Sequence, residues 1–237
     1  MGVGKVFEMK PDYEVDGIRL FNCDCMDFMK ESHEGQFELA IVDPPYGENY
    51  ADRLARESGK KYKGSVAGFN HYKRNLWDNN IPDETYFKEL IRISKHQIIW
   101  GYNFLADNLG YCKSPICWDK KRTFEQFADF ELAYSSLSKA SKIFSFQWNG
   151  MLQGDMKNKE NRIHPTQKPV QLYKWLLTNY AKKGDKIFDS HGGSFSLAIA
   201  CLDLGFEFWG CEIDKEYFDN AVKRIETHRQ QRIIRWE

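Results

Sequence analysis

No charge of one sign dominates this sequence. Lys+Arg and Asp+Glu each number 34, so net charge names no partner, and a nucleic-acid surface would have to be a local patch. No apolar run approaches the roughly 20 residues of a membrane span, and the opening MGVGKVFEMKPDYEVDG lacks the apolar core of a secretory signal. Val6 stands where a myristoylation signal has Ser or Thr. A soluble, cytoplasmic protein with no membrane contact is expected. No C-x-x-C pair occurs among Cys23, Cys25, Cys112, Cys117, Cys201 and Cys211, so reduced, mostly buried thiols and no metal are expected. Internal repeats and low-complexity tracts are missing, as are the phosphate-binding patterns G-x-G-x-x-G and G-x-x-x-x-G-K-[ST].

What is present is alternation. Apolar runs interleave with helical patterns, as in an α/β sheet protein. Strands are expected at Ile18–Asn22, Leu39–Val42, Gln97–Gly101, Pro115–Trp118, Glu131–Tyr134, Ile143–Trp148, Lys186–Phe188 and Phe206–Cys211. PDETYFKELIRISK reads as a helix with Tyr86, Phe87, Leu90 and Ile91 at helical spacing. KPVQLYKWLLTNYAKKG reads as another, with Pro169 in its first turn and Gly184 at its end. SFSLAIACLDLG and KEYFDNAVKRIETHRQQ complete two strand–helix units. The 237 residues suit one domain, 1–237, with a mostly parallel Rossmann-like sheet and helices on both faces.

Residues 47–80 show no sustained periodicity. They carry Arg53, Arg56, Lys60, Lys61, Lys63, Lys73 and Arg74 among Tyr50, Tyr62, Phe69, Tyr72 and Trp77. A loop this long inside a compact domain is usually functional or disordered.

Two short stretches carry chemistry. FDSHGGSF (188–195) joins a strand to a helix, and Glu212 follows the next strand about where an acid takes ribose hydroxyls in nucleotide-binding units. Asp189 would repel a pyrophosphate but suits a ligand with an ammonium and a sulfonium, which points to S-adenosylmethionine. In ELAIVDPPYGENY an apolar strand runs into Asp43-Pro44-Pro45-Tyr46. Two prolines stiffen the backbone and remove two N–H donors. A carboxylate, the Pro44 carbonyl and an aromatic ring then stand together, suited to a planar group with an exocyclic amine.

With these motifs the chain resembles DNA amino-methyltransferases of the N6-adenine/N4-cytosine type, in the circularly permuted β class. That class places D-P-P-Y first and the cofactor loop last, with an H-P-T-Q-K-P segment between them, here in RIHPTQKPVQLYKWLL. IRLFNCDCMDFM resembles the stretch ahead of the catalytic strand. The resemblance spans roughly residues 17–228 and is carried by motif order.

The resemblance implies methyl transfer from S-adenosylmethionine to N6 of adenine in DNA, with the base flipped into a pocket built by Asp43, Pro44, Pro45 and Tyr46. It assigns cofactor contacts to Asp24, His164, Thr166, Lys168, Asp189, His191, Gly193, Ser194 and Glu212, with Asp24 at the adenine and Lys168 at the methionine carboxylate. His164 is alternatively a hinge beside Pro165, and Trp100 fits the core as well as the site. The basic loop would contact DNA, and residues 136–163 are a short candidate target-recognition segment. Pairing of two copies and a partner subunit stay open. N4-cytosine methylation, RNA amino-methylation and a non-catalytic DNA-binding relative are the alternatives. Phe195 departs from the pattern, which usually has Gly. It must keep an ordinary backbone or bear strain of about 1–3 kcal/mol, and weaker cofactor binding than in Phe195→Gly is the expectation.

Overall fold

A computed structural model describes residues 7–48, 80–121, 128–149 and 152–234. Its main sheet has nine strands. In chain order the elements are β1 (Tyr13–Val15), β2 (Ile18–Phe21), α1 (Cys25–Glu31), β3 (Phe37–Val42), α2 (Glu84–Ile93), β4 (Ser94–Trp100), α3 (Tyr102–Leu109), β5 (Ile116–Asp119), β6 (Phe130–Ser135) and β7 (Lys142–Ser145). There follow β8 (Trp148–Asn149), β9 (Leu152–Gln153), α4 (Val170–Tyr180), β10 (Lys186–Asp189), α5 (Ser196–Leu204), β11 (Glu207–Cys211) and α6 (Lys215–Ile234).

Alternation along the strands builds the layers. Leu39 and Ile41 of β3 face one core, with Ile98 and Trp100 of β4 and the buried faces of α4, α5 and α6. Ala40 and Val42 face the other, with Ile99, α1 and α2. A strand buried on both faces reads as a near-continuous apolar run, as the central strands of a parallel sheet do. Phe37 stacks on Phe188 with centroids 4.7 Å apart, and Phe188 on Phe28 at 5.3 Å. These rings tie β3, β10 and α1 into one layer.

The sheet runs β1-β2-β11-β10-β3-β4-β6-β5-β7. Strands β2, β11, β10, β3 and β4 are mutually parallel; β1 and β6 pair antiparallel with their neighbours. From β3 the chain continues to β4 on one side, whereas from β10 it continues through α5 to β11 on the other. The crevice between the ends of β3 and β10 is thus where the connections reverse, the place where open α/β sheets put ligands. Because β6 runs antiparallel, its first residues lie at the same edge as the last residues of β3, β4 and β5.

The eight expected strands form with boundaries moved by a few residues, except that 143–148 divides into β7 and β8. The first expected helix stops at Ile93, and Ser94 and Lys95 already belong to β4. The helix after Pro169 ends at Tyr180, short of Gly184. Two helices were not foreseen: α1, capped by the Asp24 carboxylate on the Met26 amide at 2.7 Å, and α3 after Gly101. No helix among the described residues is long and apolar enough to cross a membrane.

Candidate active site

The tetrapeptide leaves the end of β3 and brings Asp43 and Pro45 to a cleft. Pro44 is buried behind them. The Tyr46 hydroxyl donates to Asp43 Oδ1 and lies 3.4 Å from Lys168 Nζ. Its ring stacks on Phe104 of α3, centroids 5.2 Å apart and planes 11° apart. This placement requires Gly101: a Cβ there would come within 2.1 Å of the Tyr46 ring, and its φ of +78° is one that L side chains rarely adopt. The WGYN turn at the end of β4 is thus the floor on which Tyr46 rests. Trp100, one residue earlier, is fully buried in the core.

Lys168 arrives from the segment before α4. Its ammonium lies 2.5 Å from Asp43 Oδ2 and 3.1 Å from Glu131 Oε2, and Lys120 pairs with the other Glu131 oxygen. Burial raises the Asp43 carboxyl above its ordinary range, and Lys168 is the main opposing influence. Burial acts likewise on Glu131, but the two ammonium groups outweigh it and hold that carboxyl down at about 2. Lys168 itself loses basicity to burial and regains more from its two carboxylates.

Across the cleft, the loop after β10 supplies His191, Gly193 and Ser194, the end of β11 Glu212, the turn between β2 and α1 Asp24, and the segment before α4 His164 and Thr166; all line one continuous surface with Asp43 and Lys168. Asp189 sits just behind, almost fully buried, and accepts from the His191 amide at 3.1 Å. Glu212 receives the Gly193 amide at 2.7 Å on one oxygen and the Asp214 amide at 2.8 Å on the other. It therefore shapes the loop besides facing the cleft. Burial, with little relief from neighbours, pushes Asp189 up to about 8 and Glu212 up to about 7. Burial also holds His191 at about 4 and His164 at about 3, so both rings are neutral near pH 7. His164 Nδ1 lies 3.1 Å from the Thr166 hydroxyl and its ring meets Tyr217 edge-on.

Phe195 adopts the left-handed conformation, φ 49° and ψ 39°, at the N-cap of α5. The strained alternative is thus realised, but the ring does not enter the cleft. It is fully buried against Phe208 and Phe218, and a Cβ on Gly192 would come within 2.1 Å of it. Phe195 is the underside of the loop.

Thus, of the expected cofactor contacts, all but Asp189 line the cleft, and Asp189 stands one layer back. The expected DNA contacts Arg53, Arg56, Lys60, Lys61, Lys63, Lys73 and Arg74 lie outside the described residues. Lys168 shares the cleft, but its ammonium is engaged by Asp43 and Glu131 rather than turned wholly toward a ligand. Residues not singled out from the sequence include Glu131 and Lys120, together with Arg224, which bonds the Ser194 carbonyl at 2.9 Å and Glu160 at 2.6 Å. A charged residue second in a mainly apolar strand, as Glu131 is in FELAYS, was the available signal.

S-adenosylmethionine fits this lining. Its cationic groups would meet acids that no described cation pairs with, and Asp24, Ser194 and Glu212 offer acceptors and hydroxyl groups for a ribose and a base edge. Comparison with known proteins agrees. The DNA methylase family of N6/N4 methyltransferases matches residues 74–223. The type II methyltransferase M2.DpnII of Streptococcus pneumoniae is 34% identical over 96% of each chain. Among solved structures, the M1.HpyAVI–SAM complex superposes with a TM-score of 0.54 at 20% identity, covering 87% of this chain and 99% of that one. The cytosine-N4-specific PvuII DNA methyltransferase superposes with a TM-score of 0.60 at 11% identity, covering 94% and 95%. The two likenesses in structure show a shared fold, and the family match, together with the relative in Streptococcus pneumoniae, shows that this chain belongs to the DNA methylase family of amino-methyltransferases.

Proposed function

We propose that the protein methylates the exocyclic N6 amine of adenine in DNA, with the target base turned out of the helix into the Asp43 cleft. The observation that carries this reading is the meeting, at one switch point of the sheet, of the Asp43 carboxylate with the acid-lined loop of β10 and β11. When bound, S-adenosylmethionine supplies a methyl group already activated on a sulfonium. The chain's own task is alignment and charge. The amine's lone pair is delocalised into its ring, so hydrogen bonds to Asp43 and to the Pro44 carbonyl would turn it toward the methyl and stabilise the positive charge that develops on nitrogen. Bond formation from nitrogen to carbon accompanies cleavage from sulfur, and the nitrogen then sheds one proton, for which Asp43 is the nearest acceptor.

An amine in a base pair is inaccessible, so a duplex target has to be extruded at a cost of a few kcal/mol. Tyr46 with Phe104, which is 41% exposed, provides an aromatic surface for the extruded base. Adenine is favoured over cytosine because the N4-cytosine group more often has Ser where this chain has Asp43. Contact of the basic stretch 47–80 with phosphates belongs to the same proposal, as does recognition by 136–163. The test is to incubate the purified protein with labelled S-adenosylmethionine and duplex DNA and to identify the modified nucleoside by mass spectrometry. N6-methyladenine is expected; N4-methylcytosine, label in RNA alone, or no label in any nucleic acid overturns the reading.

A further inference from the structure

Four side chains from four segments alternate in sign along the edge of the sheet: Asp43 after β3, Lys168 before α4, Glu131 in β6 and Lys120 after β5. Lys168 is 4% exposed at its side chain, so its two carboxylates rather than water compensate its charge. Alone with Asp43, it would form a closed ion pair. An incoming amine would have to compete with an ammonium for the carboxylate, and charge developing on that amine would face a fixed cation nearby. Glu131 alters both conditions. It draws the same ammonium from the other side at 3.1 Å, and Lys120 keeps Glu131 ionised from behind.

We propose that Glu131 is a positioning residue for methyl transfer, holding the Lys168 ammonium and offsetting its charge so that Asp43 faces the cleft as an acceptor rather than as half of a closed ion pair. This rests on the reading of Asp43 as the residue that receives the amine. Asp43 is faced by Tyr46 from its own turn, Lys168 from the segment before α4, Glu131 from β6, Tyr173 from α4, Tyr86 from α2 and Asp189 from β10. Lys168 is the one cation in that ring among the described residues. The acceptor strength of Asp43 therefore depends on how Lys168 divides itself between two carboxylates. With Glu131 neutral, Lys168 turns wholly to Asp43 and lowers its basicity; with Lys168 absent, two buried carboxylates repel and the Asp43 proton is harder to remove.

The test uses Glu131→Gln, which keeps the shape and an oxygen for Lys168, beside Lys168→Met. Two readouts are taken: the pH dependence of kcat on duplex DNA, and titration of Asp43 by 13C NMR of carboxyl-labelled protein, with its resonance assigned by Asp43→Asn. Glu131→Gln is expected to lower kcat about tenfold, with cofactor affinity nearly unchanged, and to move the Asp43 titration and the acid limb downward by about one pH unit. Lys168→Met is expected to move both upward. A purely structural role for Glu131 would lower thermal stability without shifting the two variants in opposite directions. Unchanged titration and unchanged kcat in Glu131→Gln, beside an active native enzyme, overturn the proposal. A native protein that labels no DNA overturns the parent reading instead, and the NMR titration still decides whether Glu131 governs Asp43.

Discussion

At the end of β3 the buried carboxylates meet ammonium groups, Asp43 with Lys168 and Glu131 with Lys168 and Lys120. Across the same cleft, Asp189 and Glu212 are as deeply buried, yet among the described residues no ammonium or guanidinium lies within ion-pair distance of them, and the nearby histidines are neutral. Backbone amides hold these two instead. Burying a charge without a partner is costly, and the usual outcome is a carboxyl that keeps its proton. The β3 side is thus balanced within the chain, whereas the side formed by β10 and β11 is left for a cationic ligand to balance. On the proposed reading, Asp43 accepts from a neutral amine and needs its own counter-charge. Glu212 on the cleft surface and Asp189 one layer behind it would be balanced by a ligand that brings one.

The largest expected effect breaks the balanced side. Asp43→Asn keeps the shape of the side chain but removes the charge that, on the proposed reading, stabilises the developing cation, and methyl transfer should fall about 10³-fold. Cofactor affinity, measured by calorimetry, should change less than about threefold, since the acids that await the cofactor are untouched. A comparable loss in both quantities would mean that the two halves of the cleft are not separable.

The next effect sharpens the contrast at the loop itself. In Phe195→Gly the left-handed backbone loses its strain, a gain of about 1–3 kcal/mol. The same change deletes a fully buried ring packed under Gly192, which costs about 3–5 kcal/mol. Burial wins, and the variant should be less stable by about 2 kcal/mol in denaturant melts. With its underside gone the loop presents Gly193 and Ser194 less firmly, so cofactor affinity should fall. That reverses the expectation from the sequence, where Phe195 could be compared only with the glycine of related loops. A variant as stable as the native protein and tighter for the cofactor would restore the earlier view.

The same residue marks the limit of what was legible. Apolar runs interleaved with helical patterns located the strands, because a strand buried on both faces reads as a near-continuous apolar run. The motifs located the two ends of the cleft, because D-P-P-Y and the glycine loop carry their chemistry within a few residues. Glu131 was not legible as part of the site. It lies 88 positions from Asp43 in the chain and reaches Lys168 because β6 runs antiparallel, a fact of topology that no local pattern encodes. Nor was the engagement of Lys168, whose position in H-P-T-Q-K-P named a likeness rather than a partner. Phe195 was visible as odd, but the direction of its ring depends on Phe208 and Phe218, contributed by later elements.

The smallest effect tests the unbalanced side through protons. Burial pushes Asp189 up to about 8 and Glu212 up to about 7, from ordinary values of 3.8 and 4.5. At pH 7 the ligand-free protein therefore holds protons on these groups that a cation would expel, because a nearby positive charge favours the carboxylate. Binding should release about one proton at pH 7, visible by calorimetry as a dependence of the apparent enthalpy on the buffer's ionisation enthalpy. Affinity should rise by about tenfold or more per pH unit between pH 6 and 8 and level off above it, where the acids are already ionised. S-adenosylhomocysteine, which lacks the sulfonium charge, should release fewer protons. Stability of the ligand-free protein runs the other way. Both groups have pKa values raised on folding, so their contribution is fully present below about pH 4 and is lost as pH rises through 7 and 8. Saturating cofactor should offset that loss, so melting temperatures with and without ligand should diverge as pH increases. Equal proton release by both ligands would assign the titration to groups other than those facing the sulfonium, and no release by either would show that the acids are ionised before the ligand arrives.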